Sequence, residues 1–221
     1  MLQLNLFSNQ VTFASMPSTR FQGSKRKYLP FLANLFADYE FKTCLDAFGG
    51  TGSVTHLLLS MGKDVLYNDI LKANYVNAKA LFIEGGMRLG VDELKSLFQK
   101  KDGVDYKQHI SDIYDNIFYT KFENEQIDVI TQNILSIEDE IKKSEAFYCL
   151  FQTALIKRPY NLFHRANLSM REQNVQRSFG NKKTWDTPIE LHMIKFYREL
   201  QEYKAIQKPG KCYFANDDAF E

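Results

Sequence analysis

The spacing of apolar positions changes character along the chain. Residues 1–17 show no clear period, and Arg20-Phe-Gln-Gly-Ser-Lys-Arg-Lys27 is a polar loop. Apolar residues then recur at helical spacing over Leu29–Tyr39, with Pro30 suited to the first turn. Thr43–Phe48 reads as a short buried strand ending in glycines, Ser53–Met61 as a helix, and Asp64–Tyr67 as a second strand. Lys72–Ile83 reads as a second helix, stopped by Gly85-Gly86. This βαβα order opens a parallel sheet. From about residue 90 to 156 only helical periods remain, clearest over Ile127–Ile156. There Ile130, Ile134, Ile137, Ile141, Phe147, Leu150 and Ala154 mark one face. Residues 157–187 are irregular and basic, Pro188–Tyr203 is helical, and Lys211–Ala215 is a third strand after the Pro209-Gly210 turn.

The expected architecture is an α/β half-domain formed by residues 1–85 and 205–221, interrupted by a mainly helical insertion over 86–204. Loops at the carboxyl ends of parallel strands carry ligand sites, so an insertion there is placed to hold a substrate over a bound cofactor. Size agrees with one domain bearing an insertion: the chain has 221 residues. The net charge of +1 implies no partner by itself. Cys44, Cys149 and Cys212 are odd in number and widely spaced, which argues for a reducing compartment. With no leader-like start and no apolar run of membrane length, the expectation is a soluble cytoplasmic protein. The four histidines and three cysteines lack metal-ligand spacing, so no metal site is expected.

The densest chemistry lies in Asp46-Ala-Phe-Gly-Gly-Thr-Gly52, followed by Asn68-Asp69. Gly49, Gly50 and Gly52 permit positive φ and close approach of backbone to a ligand. The helix that follows points free N–H groups at whatever sits there. Two cofactor classes use such a turn. A dinucleotide site wants Gly-x-Gly-x-x-Gly, but its third glycine, counted from Gly50, falls at Thr55. S-adenosylmethionine has no pyrophosphate and tolerates the larger residue. Asp69, at the end of the second strand, can accept both ribose hydroxyl hydrogens. Asp46, close to the turn, can hold the cofactor's amino group directly or through water. Either aspartate in isolation is an ordinary turn or cap residue; the set in one βαβ unit points to a cofactor.

Arg20-Phe-Gln-Gly-Ser-Lys25, the glycine turn and Asn68-Asp69, in that order, resemble the Dam-type, alpha-class DNA adenine-N6 methyltransferases. The resemblance is close over residues 18–85 and 211–221 and loose over the insertion. It implies a partial Rossmann-like S-adenosylmethionine-dependent methyltransferase fold and a target-recognition insertion. Phe21, Gly23 and Lys25 would meet the methionine end of the cofactor; Asp46, Phe48, Gly50 and Gly52 would form the turn. Asp69 would hold the ribose, and Asp218, with Asp217 a near-equal candidate, would approach the adenine amino group.

In that family the reacting amine is clamped by an Asp-Pro-Pro-Tyr box. Pro17, Pro30, Pro159, Pro188 and Pro209 lie in no such box, so no catalytic residue is assigned to this chain. The resemblance also implies a catalytic strand beside the first strand. If this chain carries only three strands, the first has a bare apolar edge, and such edges aggregate or pair with something. The expectation is therefore a split enzyme, in which this chain holds cofactor and target while a second subunit brings the catalytic box. A truncated single-chain enzyme reads the same way, and cytosine-N4 remains open beside adenine-N6 because both reactions attack an exocyclic amine.

Residues 157–185 supply the expected contact with double-stranded DNA. Lys157, Arg158, Arg165, Arg171, Arg177, Lys182 and Lys183 face only Glu172. They can neutralise phosphates, and Asn161 and Asn167 suit base edges. Tyr160, Phe163, Phe179 and Trp185 can stack on bases or instead anchor the loop to the helices. The competing functions are a DNA-binding module with a vestigial cofactor pocket, a nicotinamide-dependent oxidoreductase, and methylation of RNA.

Overall fold

The computed structural model describes residues 16–17, 24–158, 168–172, 182–206 and 208–220. The chain divides into two compact units, residues 1–86 with 200–221, and residues 87–199.

The first unit is a small α/β layer. After a short 3-10 turn at Lys25–Tyr28 come α1 (Leu29–Ala37), β1 (Thr43–Asp46), α2 (Ser53–Ser60), β2 (Asp64–Asn68) and α3 (Lys72–Phe82), and β3 (Cys212–Ala215) closes the unit. The strands lie parallel in the order β1-β2-β3. Leu29, Ala33 and Leu57 pack together beneath the partly buried Leu32, Phe36 and Met61, which fastens α1 to α2.

The two faces of the sheet differ sharply. Val65 and Tyr67 are fully buried on one face, where Cys44 and Asp46 of β1 stand in register with them. On the other face Leu45, Leu66 and Tyr213 are direct register partners, and they are 60%, 40% and 56% exposed. Handedness explains the asymmetry. Right-handed crossovers that always step the same way across a sheet place their helices on the same side. The order β1-β2-β3 is such a progression, so α2 and α3 cover one face and leave an apolar row on the other.

The second unit is helical among its described residues: α4 (Val91–Ser96), α5 (His109–Ile113), α6 (Lys121–Leu135), α7 (Glu140–Lys157), α8 (Ser169–Glu172) and α9 (Lys182–Asp186). It also contains the larger part of α10 (Ile189–Ala205). The periodic stretch expected over Ile127–Ile156 is two helices. Thr120 and Glu123 form a reciprocal capping box that starts α6. Asp139 starts α7 by accepting the Ile141 and Lys142 N–H groups. The intervening turn shifts the helical phase. Ile130, Ile134 and Leu150 are buried as expected, but α7 turns Glu145, Ala146, Cys149 and Thr153 inward, with Phe147 and Ala154 only half-buried. Two short helices, α8 and α9, lie in the stretch expected to be irregular.

Buried carboxylates brace this unit. Glu145, fully buried, accepts N–H groups from Arg88 (3.1 Å) and Leu89 (2.8 Å). Asp128 accepts the Ile110 and Ser111 amides at 2.7 and 2.9 Å, satisfying donors at the start of α5. Among the described residues, no helix is long and apolar enough to cross a membrane.

Candidate functional site

The turn between β1 and α2 is held at three points from β2 and the residue that follows it. The Gly49 amide donates to the Asn68 carbonyl at 2.8 Å. The Gly50 amide donates to Asp69 Oδ2 at 2.8 Å. The Tyr67 hydroxyl donates to the Gly50 carbonyl at 2.8 Å. Gly50 and Gly52 have φ of 52° and 74°, so the loop needs glycine at both positions. A Cβ on Gly49 would enter the Tyr67 ring, and one on Gly52 would enter the Phe82 ring. The backbone is thus drawn close to its supports, leaving a pocket of about 320 Å³ lined by Lys25, Asp46, Phe48, Gly50, Thr51 and Ser53 among others.

Asp46 accepts a 2.6 Å hydrogen bond from Thr55 Oγ1, which ties the end of β1 to the first turn of α2. Burial pushes its carboxyl above the ordinary range; the Thr55 bonds pull it down, Asp69 pushes it up, and Lys25 pulls it down. Asp69 is only 8% exposed and has both oxygens engaged, Oδ2 with Gly50 and Oδ1 with the Leu71 amide at 2.8 Å. A carboxylate offers about four lone-pair sites, so two acceptor positions remain after these bonds. The first task of Asp69 is therefore to shape the turn.

At the carboxyl edge of the sheet Asn68 ties two strand ends together. Its side chain donates to the Ala47 carbonyl (3.2 Å) and the Asp217 carbonyl (3.0 Å), and accepts the Asp217 amide at 3.0 Å. Asn216 donates to the Asp69 carbonyl at 2.6 Å. Asp217 and Asp218 are exposed, and Asp218 Oδ1 accepts the Phe220 amide at 3.0 Å. Phe48 and Phe220, both exposed, have ring centroids 5.7 Å apart. The sequence reading assigned Asp69 a role but none to Asn68, Thr55, Asn216 or Phe220. Only Asn68 carried a signal, as the first half of the Asn-Asp pair. Phe21 and Gly23 lie outside the described residues.

The basic segment divides in two. Lys157 and Arg171, expected on DNA, are 2% and 8% exposed and sit on the buried Glu123. Lys157 Nζ lies 2.5 Å from Glu123 Oε1 and donates to the Trp185 and Thr187 carbonyls. Arg171 makes two 2.6 Å bonds to the same carboxylate and one of 3.1 Å to the Phe118 carbonyl. The physical reason is mutual compensation: a buried carboxylate needs cations, and these two supply them. Burial raises the Glu123 carboxyl, but bonds from Arg171 and Lys157 outweigh it and leave it below the ordinary value. Burial likewise holds the Lys157 ammonium below its ordinary value despite Glu123. Trp185, 5% exposed, is core rather than a surface stacking ring. Arg158 is half-buried with its guanidinium 5.6 Å from the centre of the Phe118 ring. Lys182 and Lys183 are exposed on α9, Lys182 in an ion pair with Asp186. Asn161, Arg165, Asn167 and Arg177 lie outside the described residues, as do Tyr160, Phe163 and Phe179.

Comparison of the sequence with known proteins points to a family. The model of the D12 class N6 adenine-specific DNA methyltransferases matches residues 21–209. The Type II methyltransferase M2.HphI of Haemophilus parahaemolyticus is 26% identical over 214 residues, covering 93% of this chain and 61% of that relative. The chain thus spans about three fifths of the length of the curated relative it matches. No solved structure matches. A glycine turn braced by the carboxylate of the next strand lies inside the matched span, and the chain belongs to the D12 class N6 adenine-specific DNA methyltransferase family.

Proposed function

We propose that this chain is the cofactor-binding and target-reading part of an S-adenosylmethionine-dependent DNA adenine-N6 methyltransferase of a restriction-modification system, with a Rossmann-like sheet completed by a second subunit. The observation that carries the cofactor reading is the braced turn: two positive-φ glycines, a pocket of about 320 Å³, and Lys25 and Asp46 on its wall. The methionine end fits beside Lys25, with Phe21 and Gly23 as its neighbours in the preceding loop. On this reading the ribose takes the two remaining acceptor positions of Asp69 and the adenine lies near Phe48, Asp217 and Asp218, of which Phe48 lines the pocket. Bound there, the cofactor supplies an electrophilic methyl group. The protein's part is to orient it and to keep the pocket walls fixed.

The open face and the open edge support the second subunit. Among the described residues β1 pairs only with β2, so its outer edge is unpaired. Strands added outside β1 by right-handed crossovers step in the opposite direction and lay their helices over Leu45, Leu66 and Tyr213. One added polypeptide therefore covers both exposed features and puts an amine clamp at the strand edge beside the pocket. Reaching N6 of a paired adenine requires turning the base out of the duplex. Residues 86–204 are the proposed DNA-reading segment, contacting phosphates through Lys182 and Lys183, with Arg158 and the undescribed Asn161, Arg165, Asn167 and Arg177.

Calorimetry of the isolated chain tests the cofactor reading: heat with S-adenosylmethionine and its demethylated product, and none with nicotinamide dinucleotide. No heat with either sulfur compound overturns it. Methyl transfer to duplex DNA tests the division of labour. The chain alone is expected to be inactive and to gain activity with a co-purifying subunit. Transfer by the chain alone rejects the second subunit.

A further inference from the structure

A second cavity, of about 470 Å³, lies in the α/β unit and shares no lining residue with the glycine-turn pocket. Leu81 and Phe82 give it an apolar wall at the end of α3, and Gly85 and Gly86 form its rim. Lys204, from the last turn of α10, and Lys208, two residues before Gly210, bring two ammonium groups to the other side. Among the described lining residues Glu84 is the one carboxylate, it is exposed, and it stands against the two lysines. Gly85 has φ of 100°, and nothing lies within 4 Å of a Cβ built on Gly85 or Gly86, so the rim is clear.

Lys208 is the telling group. Its Nζ sits 3.9 Å from the centre of the Tyr203 ring and 3.3 Å from the Ile206 carbonyl. A ring face and a neutral carbonyl attract an ammonium but do not cancel its charge. Burial, then the neighbouring Lys204, holds this amine down to about 8. Two cations in one half-dry cavity repel each other, and an anion of two charges removes that repulsion.

We propose that this cavity binds a phosphate monoester, its oxygens on Lys204 and Lys208 and the attached nucleoside against Leu81 and Phe82. The chemistry is common to a free nucleotide and to a phosphate at a DNA strand end. The cavity shares no lining residue with the glycine-turn pocket, and the Phe82 ring between them backs onto Gly52.

The test uses adenosine 5′-monophosphate, inorganic phosphate, adenosine and a 5′-phosphorylated duplex as probes of the whole chain. Reductive methylation near pH 8, read by mass spectrometry, measures the reactivity of Lys208. Adenosine monophosphate is expected to protect Lys208 and adenosine not to. Lys208→Met is expected to weaken nucleotide binding about tenfold or more, and Lys208→Arg to retain most of it. Protection by the phosphorylated duplex but not by its unphosphorylated form identifies a DNA strand end as the ligand. Protection by the free nucleotide alone identifies a small-molecule site. Equal Lys208 reactivity with and without every phosphate probe overturns the proposal. So does nucleotide binding that S-adenosylmethionine displaces completely.

Discussion

The Gly50 amide donates to Asp69 Oδ2 at 2.8 Å, and this one bond joins the loop after β1 to the residue after β2. It converts a glycine-rich segment into a turn of one shape, because the same carboxylate also caps the Leu71 amide. Asp69→Asn keeps the size but turns one acceptor into a donor that faces an N–H. Hydrogen bonds to charged groups contribute about 1.5–3 kcal/mol, so S-adenosylmethionine binding should weaken about tenfold to a hundredfold. Calorimetry on the variant checks this. Unchanged affinity would show that the turn holds its shape without Asp69 and that the ribose does not use it.

Steric contact makes a second prediction. A methyl group on Gly49 enters the Tyr67 ring, whose hydroxyl is fixed on the Gly50 carbonyl and cannot swing aside freely. Gly49→Ala should cost about 1–3 kcal/mol, the usual range for forcing an extra methylene-sized group into a packed site. Gly86→Ala meets no atom within 4 Å and should leave the melting temperature unchanged. Thermal melts of the two variants in parallel supply the comparison; equal melting temperatures would contradict the packing argument.

Much of the turn was legible in the sequence because its constraints are local. Gly50 and Gly52 announce positive φ, and Asp69 follows the second strand within one supersecondary unit. The elements around it lie within about two residues of their expected limits, the normal uncertainty of helix ends. The sheet's bare face was not legible, since it depends on strand order and crossover direction rather than on any one segment. Lys157 and Arg171 were misread for a related reason. A basic residue's type does not reveal its partner, and Glu123 lies 48 residues before Arg171. The bond from Asn68 to Asp217 spans 149 residues and left no pattern to find. The break between α6 and α7 did have a local sign, Asp139 followed by Glu140, but continuous apolar spacing masked it.

The Glu123 cluster predicts both a stability loss and its pH dependence. Glu123→Gln removes the charge that offsets Lys157 and Arg171, and breaking one partner of a buried pair costs about 3–5 kcal/mol. The carboxyl is held below its ordinary value in the folded protein, so the unfolded chain binds its proton first as pH falls. Stability from this group is complete above the ordinary glutamate range and is lost as pH falls through the lower folded value. Lys157, also held low, binds its proton more tightly when unfolded, so rising alkaline pH takes nothing away through it. Denaturant melts from acid to neutral pH should show the wild-type chain losing its advantage over Glu123→Gln at the acid end. A constant gap between the two would count against the assignment.

Exposed lysines on α9 should behave differently from the buried ones. If Lys182 and Lys183 each neutralise one phosphate, Lys182→Gln with Lys183→Gln lowers the slope of log affinity against log salt by about 2. The melting temperature should hardly move, since the Lys182–Asp186 pair is exposed and such pairs contribute little. Lys157→Met, in contrast, should leave the salt slope alone and lower the melting temperature. Mobility-shift titrations at several salt concentrations separate these cases; an unchanged slope in the double variant removes α9 from the DNA contact.

The apolar row on the sheet offers the sharpest separation of cofactor binding from assembly. Leu66 and Tyr213 are register partners on the uncovered face, on the side opposite the buried Val65 and Tyr67. Leu66→Lys with Tyr213→Lys should leave S-adenosylmethionine affinity within about twofold, because no atom of the turn is altered. A helix layer docking there would bury two unpaired ammonium groups, at a cost that marginal protein stability does not offset. Association with the proposed completing subunit, followed by sedimentation velocity, should fall below detection, and methyl transfer by the mixture should fall with it. Normal assembly by the double lysine variant would mean that this face stays in solvent and that added strands, if any, approach from the edge alone.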